Sequence, residues 1–120
     1  MEQRVNKTEV KVDKIRSYQT LIAQANNRRF RTKEYKAYIQ EISYQLMPLR
    51  AIERNKDLRV EIHFKHINRV KPDIDNATKP ILDILQMSGK VHDDKNVVEY
   101  EAKQSFGHDH NSIEIELIEL

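Results

Sequence analysis

Asp73 to Asp94 form the stretch that decides the fold, DIDNATKPILDILQMSGKVHDD. An Asp-x-Asp pair opens this stretch, an apolar segment containing Lys79 and Pro80 follows, and a second acid pair comes shortly after Gly89. Apolar residues recur at helical spacing between the two acid pairs, and glycine is the usual left-handed residue after a helix. The stretch therefore predicts one short amphipathic helix with carboxylates at both ends.

Pro80 restricts where this helix can begin. Proline has no N–H, so it fits within the first helical turn but costs about 3 kcal/mol further inside. An N-cap at Asn76 makes Pro80 the fourth helical residue and leaves Asp75 free. We therefore expect the cap at Asn76, with Asp73 and Asp75 on one side of an extended segment and about 6.5 Å apart at Cα.

These acids fit a site for hard cations. Mg²⁺ and Mn²⁺ prefer oxygen ligands, and Mg²⁺ takes one or two carboxylates together with water and substrate phosphate. Asp73 and Asp75 supply two such groups, and the helix with its Gly89 turn would return Asp93 or Asp94 as a third. One or two bound ions could activate water and stabilise the leaving oxygen in phosphodiester hydrolysis.

Lys79 has two interpretations. It follows Asp75 by four residues and precedes Asp83 by four, so all three side chains share one helical face. Lys79 could stabilise charge that develops on a reacting phosphate. The three residues could instead form an exposed ion-pair ladder worth a few tenths of a kcal/mol per pair, and spacing alone favours this ladder.

The rest of the chain predicts strands around two helices. Thr32 is a candidate N-cap for a first helix that ends near Met47, because the residue before Pro48 avoids the helical region. Alternating apolar and polar residues predict strands at Lys7 to Asp13 and Leu58 to Lys65, and strand character recurs at Val97 to Phe106 and Ile113 to Ile118. The last two strands are expected to form a hairpin. The predicted fold class is α+β, with two helices packed on a small mixed four-stranded sheet in the order β-α-β-α-β-β.

Composition limits the class of protein. A chain of 120 residues fits a single domain, 1–120, and its hydrophobic fraction of 38% gives a core that an oligomer interface could extend. No cysteine is present, so oxygen or imidazole groups must hold any metal. Apolar runs are far shorter than the roughly 20 residues of a membrane span, and the N-terminus lacks a signal sequence. A cytoplasmic protein without membrane contact is expected.

Charge is unevenly distributed. Residues 1–40 hold ten Lys and Arg against four Asp and Glu, whereas residues 41–120 hold eleven against fifteen. Arg16 to Arg31 lacks a clear period and is interpreted as a functional loop. Basic side chains supply most sequence-independent affinity for nucleic acid. The candidate DNA contacts are Arg28, Arg29, Arg31, Arg69 and Lys71.

Histidines are weaker candidates. His108 and His110 lie in the expected hairpin turn, where an exposed turn is favoured over a metal site. His63 and His66 are expected on the surface, and His92 adjoins the second acid pair.

The spacing of the central stretch resembles the RusA endodeoxyribonucleases, which resolve Holliday junctions and occur in bacteria, phages and prophages. The match begins at Asp73-x-Asp75-Asn76, continues through Lys79 and Asp83, and runs through Gly89 to Asp93-Asp94. The resemblance implies a homodimeric enzyme that uses Mg²⁺, or Mn²⁺, to make paired nicks in four-way DNA junctions during recombination and repair.

The resemblance also implies residue roles. Asp73, Asp75 and Asp94 would be the catalytic metal-binding acids, and Lys79 the catalytic lysine. Supporting roles would fall to Asn76, Asp83 and Asp93, as a cap, an orienting partner and an occasional ligand. Two alternatives remain at this stage: a DNase selective for flaps or forks, and a non-catalytic branched-DNA-binding module whose carboxylates form the ion-pair ladder.

Overall fold

The computed structural model describes residues 5–25, 28–69 and 72–120. Its strands are β1 (Lys7–Lys11), β2 (Ile22–Ala25), β3 (Arg28–Arg31), β4 (Leu58–Lys65), β5 (Val97–Ser105) and β6 (Ser112–Glu119). Its helices are α1 (Tyr18–Leu21), α2 (Lys33–Gln45) and α3 (Ile74–Met87), followed by a 3₁₀ turn at Asp94–Asn96. The predicted α+β class, with a four-stranded mixed sheet and two principal helices, is confirmed.

The main sheet has the strand order β1-β6-β4-β5. β6 pairs antiparallel with both β1 and β4, while β5 pairs parallel with β4. A parallel pair needs a crossover connection, and α3 supplies it by running back from the carboxyl end of β4 to the amino end of β5. The start of α3 therefore lies near the carboxyl ends of β4 and β5, and its end lies near their amino ends.

The expected terminal hairpin is wrong. β5 and β6 are consecutive, yet β6 lies between β1 and β4, and β5 occupies the outer edge. Burial explains the exchange: Ile113, Ile115 and Leu117 of β6 are at most 2% exposed, whereas Val98 and Tyr100 of β5 are about half exposed. The more apolar strand takes the central position because central strands bury more surface.

The core lies between the helices and one face of the sheet. Every second residue of β4 is buried, as its alternation predicts. Thr32 accepts a hydrogen bond from the N–H of Tyr35 and caps α2, as expected, and Tyr35, Tyr38 and Ile42 are buried from this helix. The opposite face of the sheet carries ion pairs, including Lys65 Nζ to Glu9 Oε1 at 2.9 Å. Among the described residues, no helix is both long and apolar enough to cross a membrane.

Arg16 to Arg31 is more regular than expected. The short helix α1 is followed by β2 and β3, which pair antiparallel as a separate two-stranded hairpin. In the register, Ala23 faces Phe30 and Ile22 faces Arg31. A hairpin of four-residue strands is marginal alone, and contacts with α1 and α2 support it. The sequence lacked the signal because the arginines obscure the alternation.

Candidate metal and DNA site

Asp73 is the N-cap of α3, so the expected cap at Asn76 is wrong. Its backbone is outside the helical region, with φ −57° and ψ 126°, and its Oδ1 accepts a hydrogen bond from the N–H of Asp75 at 3.0 Å. An aspartate is among the best N-capping residues, and its charge complements the helix dipole. The helix thus begins at Ile74, three residues earlier than a cap at Asn76 predicts.

Pro80 consequently lies in the interior of α3. Its ring is buried with Ala77, Ile81 and Ile84 on the core face of the helix. The carbonyl of Asn76, which would normally accept from the residue four positions later, meets no N–H at Pro80. Apolar burial of the ring offsets part of this loss.

Asp75 lies in the first turn of α3 and not in an extended pair with Asp73. Both side chains are exposed. Asp73 uses Oδ1 for the cap and leaves its second carboxylate oxygen available, while Asp75 is held at the positive end of the helix dipole. The start of α3 therefore presents two carboxylates to solvent.

The second acid pair follows the other end of α3. Gly89 has φ +79°, and the N–H groups of Gly89 and Lys90 donate to the carbonyls of Gln86 and Leu85 in a Schellman arrangement. The expected role of Gly89 as the left-handed residue that ends the helix is thus confirmed.

Asp93 caps the 3₁₀ turn, where its Oδ1 accepts from the N–H of Lys95 at 3.0 Å. This hydrogen bond, followed by one with Asp94, holds the pKa of Asp93 below its ordinary value. Asp94 is exposed at the first position of the turn. Asp93 is thus committed to the backbone, whereas Asp94 is not.

The turn at Gly89 does not return Asp94 to the first acid pair. α3 has 14 residues, so its ends are about 21 Å apart. The first acid pair follows Pro72, whose carbonyl accepts a hydrogen bond from Gln104 near the end of β5. The second pair precedes Asn96, which lies just before the start of β5 and donates to the carbonyl of Arg54. Within the described residues, no three His, Cys, Asp or Glu side chains are grouped closely enough to hold a metal ion.

Lys79 and Asp83 contact aromatic residues of neighbouring elements. The Lys79 ammonium lies 4.6 Å from the centroid of the Tyr18 ring, and the Tyr35 hydroxyl donates to Asp83 Oδ2 at 3.3 Å. Burial, and then the Asp83 carboxylate, raise the pKa of Tyr35, so the phenol remains a donor. Asp75, Lys79 and Asp83 all lie in the part of the chain that the structure describes, and no ion pair joins them, so the ladder does not form.

The basic hairpin is connected to α3 through Tyr35 of α2. Arg29 and Arg31 are exposed on β3, and Phe30 between them is 49% exposed. The Arg31 guanidinium lies 5.8 Å from the ring of Tyr35, the residue that bonds to Asp83. The backbone of Arg28 is in β3, and the structure does not describe its side chain. Asn26, Asn27 and Lys71 lie outside the described residues.

A buried polar group beside the start of α3 was missed. His66 is only 6% exposed, against the expectation of a surface histidine, and its Nε2 bonds to Gln104 Oε1 at 2.8 Å. Its ring stacks on Phe106, with 5.2 Å between centroids, and Arg69 lies 5.9 Å from that Phe106 ring. Continuing the alternation of β4 by one more step would have assigned His66 to the buried face.

His63 and His108 meet at one serine. Their Nε2 atoms lie 2.6 and 2.7 Å from Ser105 Oγ, and burial is the main cause that lowers the pKa of His63. His108 is therefore less solvated than its predicted turn suggested, although it belongs to no candidate metal group among the described residues.

Comparison with protein families agrees with the motif. The family model described as endodeoxyribonuclease RusA matches residues 3–118, so the likeness extends well beyond the central stretch into the N-terminal half. A search of curated proteins finds no match. The chain therefore belongs to the RusA endodeoxyribonuclease family, the divalent-metal-dependent enzymes that resolve Holliday junctions.

Proposed function

We propose that this enzyme uses Mg²⁺, with Mn²⁺ as an alternative ion, to make paired nicks in four-way DNA junctions during recombination and repair. Asp73, Asp75 and Asp94 hold the metal, and Lys79 faces the reacting phosphate. The observation that carries this proposal is the pair of exposed carboxylates at the start of α3 in a chain of the RusA family.

The donor set fits a hard divalent cation. Both groups at the start of α3 are carboxylates, and Mg²⁺ in enzymes that act on phosphates uses one or two of them beside water and substrate oxygens. When bound, such an ion lowers the pKa of a water molecule and neutralises phosphate charge. The cap hydrogen bond orients Asp73 before any ligand arrives, which lowers the ordering cost of binding.

Lys79 and the hairpin supply positive charge near α3, because Arg31 lies over Tyr35, which bonds to Asp83 one helical turn after Lys79. Lys79 lies one helical turn after Asp75, and its contact with the Tyr18 ring limits the directions that its ammonium can take. Arg29 and Arg31 are exposed on the neighbouring hairpin, and Arg69 is supported by Phe106 near the acids. Together with Arg28 and Lys71, these groups would hold the DNA backbone against the carboxylates.

A homodimer follows from the separation of the acids. Mg²⁺ binds oxygen at about 2.0–2.1 Å, so one ion cannot take Asp73 and Asp94 of the same chain, which lie beyond opposite ends of a helix about 21 Å long. A site with all three acids takes Asp94 from a second copy. A two-fold dimer then has two equivalent sites, as paired nicking of a symmetric junction requires.

A cleavage assay on a mobile four-way junction tests the function. The wild-type enzyme should produce symmetric nicks with Mg²⁺ and none in EDTA. Asp73→Asn should lower the nicking rate by about 10³ because it weakens several kcal/mol of metal-dependent stabilisation. Asparagine also caps helices well, so this variant should remain folded. The matched control is Asp109→Asn, at an exposed position in the turn before β6, which should nick at the wild-type rate.

Binding separates the alternatives. Asp73→Asn should bind the junction as tightly as the wild type or more tightly, because it removes a negative charge that faces phosphate. Unchanged nicking by this variant would refute the site. Tight junction binding by the wild type with no product in Mg²⁺ or Mn²⁺ would favour a binding module, and preferential cutting of flaps or forks would favour a different DNase.

A further inference from the structure

We propose that Gln104 is a positioning residue that holds the acid pair at the start of α3. Its side chain joins the carbonyl of Pro72 to the buried His66, and so fixes the peptide that precedes Asp73. The functional meaning of this arrangement rests on the proposed role of Asp73 as a metal ligand.

The amide of Gln104 is oriented by its two partners. Its Nε2 donates to the Pro72 carbonyl at 3.1 Å, so its Oε1, 2.8 Å from His66 Nε2, must accept a hydrogen bond. His66 therefore carries a proton on Nε2 in this arrangement. Each end of the amide thus has one complementary partner, and reversing the amide would place two acceptors together at Pro72.

His66 provides a rigid base for Gln104. Its backbone N–H donates to the Ser105 carbonyl at 2.9 Å, and its own carbonyl accepts from the N–H of His108 at 3.1 Å. Its ring is stacked on Phe106 with 19° between the planes. A side chain held by backbone bonds, stacking and burial has little freedom to move, so Gln104 transmits this rigidity to Pro72.

The Pro72 carbonyl belongs to the peptide bond that joins Pro72 to Asp73. A peptide is planar, so fixing this carbonyl also fixes the N–Cα bond of Asp73, whose φ is −57°. The carboxylate of Asp73 then accepts the N–H of Asp75. The stack that supports Gln104 also supports Arg69 over Phe106, so a proposed phosphate contact and the acid pair share one base.

Two substitutions separate positioning from simple support of His66. Gln104→Glu can still accept from His66 but has no donor for the Pro72 carbonyl. Gln104→Leu loses both contacts. The matched controls are Gln86→Glu and Gln86→Leu, at an exposed position near the end of α3.

Amide hydrogen exchange, followed by NMR in metal-free protein, gives a readout that does not depend on activity. Both Gln104 variants should speed exchange of the Asp75 amide about five- to tenfold, as expected for loosening of one hydrogen bond. The Lys95 amide, capped by Asp93 beyond the other end of α3, should be unchanged, as should both amides in the Gln86 variants. In Mg²⁺ titrations of nicking, the Gln104 variants should also need more Mg²⁺ for half-maximal rate.

Three exchange results would overturn the proposal. Wild-type exchange at Asp75 in both Gln104 variants would show that the Pro72 contact fixes nothing. Faster exchange in Gln104→Leu alone would show that Gln104 acts only by satisfying His66. Equal acceleration at Asp75 and Lys95 would show general loss of stability. Failure of the wild type to nick junctions would refute the proposed function and not the exchange result.

Discussion

The two ends of α3 carry similar acid pairs that the structure uses in parallel ways. At the start, Asp73 accepts the N–H of Asp75, and after the end, Asp93 accepts the N–H of Lys95. In each pair, one aspartate caps the backbone two residues ahead, while Asp75 or Asp94 is exposed without such a task. The two acids of each pair are thus not equivalent, because only one of them accepts a backbone hydrogen bond.

The ends differ in what supports them. Contacts among Phe106, His66 and Gln104 lead to the Pro72 carbonyl just before α3, whereas the far end depends on the left-handed Gly89 and the short 3₁₀ turn. A side-chain network fixes one end and a backbone conformation fixes the other. If the proposed dimer forms, the two halves of its metal site are prepared separately in each chain.

Subunit mixing tests this comparison most strongly. In a dimer of one Asp73→Asn chain and one Asp94→Asn chain, one site would keep all its acids and the other would lose two. Each variant alone should be inactive, and purified mixed dimers should recover nicking of one strand. Asp73→Asn mixed with Asp75→Asn is the control, because each site then loses one acid and no activity should return. Inactive Asp73→Asn and Asp94→Asn mixtures would contradict a shared site.

The second acid pair gives the next largest effect. Asp94→Asn should lower the nicking rate by about 10³, because the variant weakens a proposed metal ligand. Asp93→Asn should lower it by less than about tenfold, because asparagine can still cap the 3₁₀ turn. Single-turnover nicking rates of both variants at saturating junction measure the difference. The opposite ranking would identify Asp93 as the ligand.

The smallest expected effect is that of Gly89→Ala, which should lower the stability of the fold. A Cβ at this position would meet no atom within 4 Å, so the cost is backbone strain at φ +79° and not a clash. We expect a loss of about 1–2 kcal/mol in the free energy of unfolding. Urea denaturation measures it, with Gln86→Ala on the exposed side of the last turn as the control. No change in the midpoint would mean that the turn can adopt another conformation.

Local signals predicted the elements well. The alternation of Leu58 to Lys65, the Thr32 cap and the glycine after α3 each depend on a few neighbouring residues, and all three are confirmed. The predicted cap of α3 is wrong because burial of the Pro80 ring offsets part of the cost of proline inside a helix. The site residues, the single domain over residues 1–120 and the cytoplasmic location stay predictions.

Local sequence signals did not predict the strand pairing or the separation of the acid pairs. Which strand pairs with which depends on the burial available across the whole sheet, so β6 displaced β5 from the expected hairpin. Whether Asp94 meets Asp73 depends on the direction of a crossover helix, which spacing along the chain does not reveal. His66 shows an intermediate case. It was expected on the surface, although continuing the alternation of its strand would have predicted burial, and its partner Gln104 lies 38 residues later in the chain.

The sequence by itself determined the α+β class, the principal helices and the family motif with its carboxylates. These features depend on hydrophobic periodicity, capping chemistry and residue spacing, which are local properties of the chain. Only the tertiary structure decided that the acids lie at opposite ends of α3, that Lys79 meets Tyr18, and that Gln104 supports the first acid pair. The physical reason is that a parallel crossover separates the ends of its helix while bringing distant strands beside each of them.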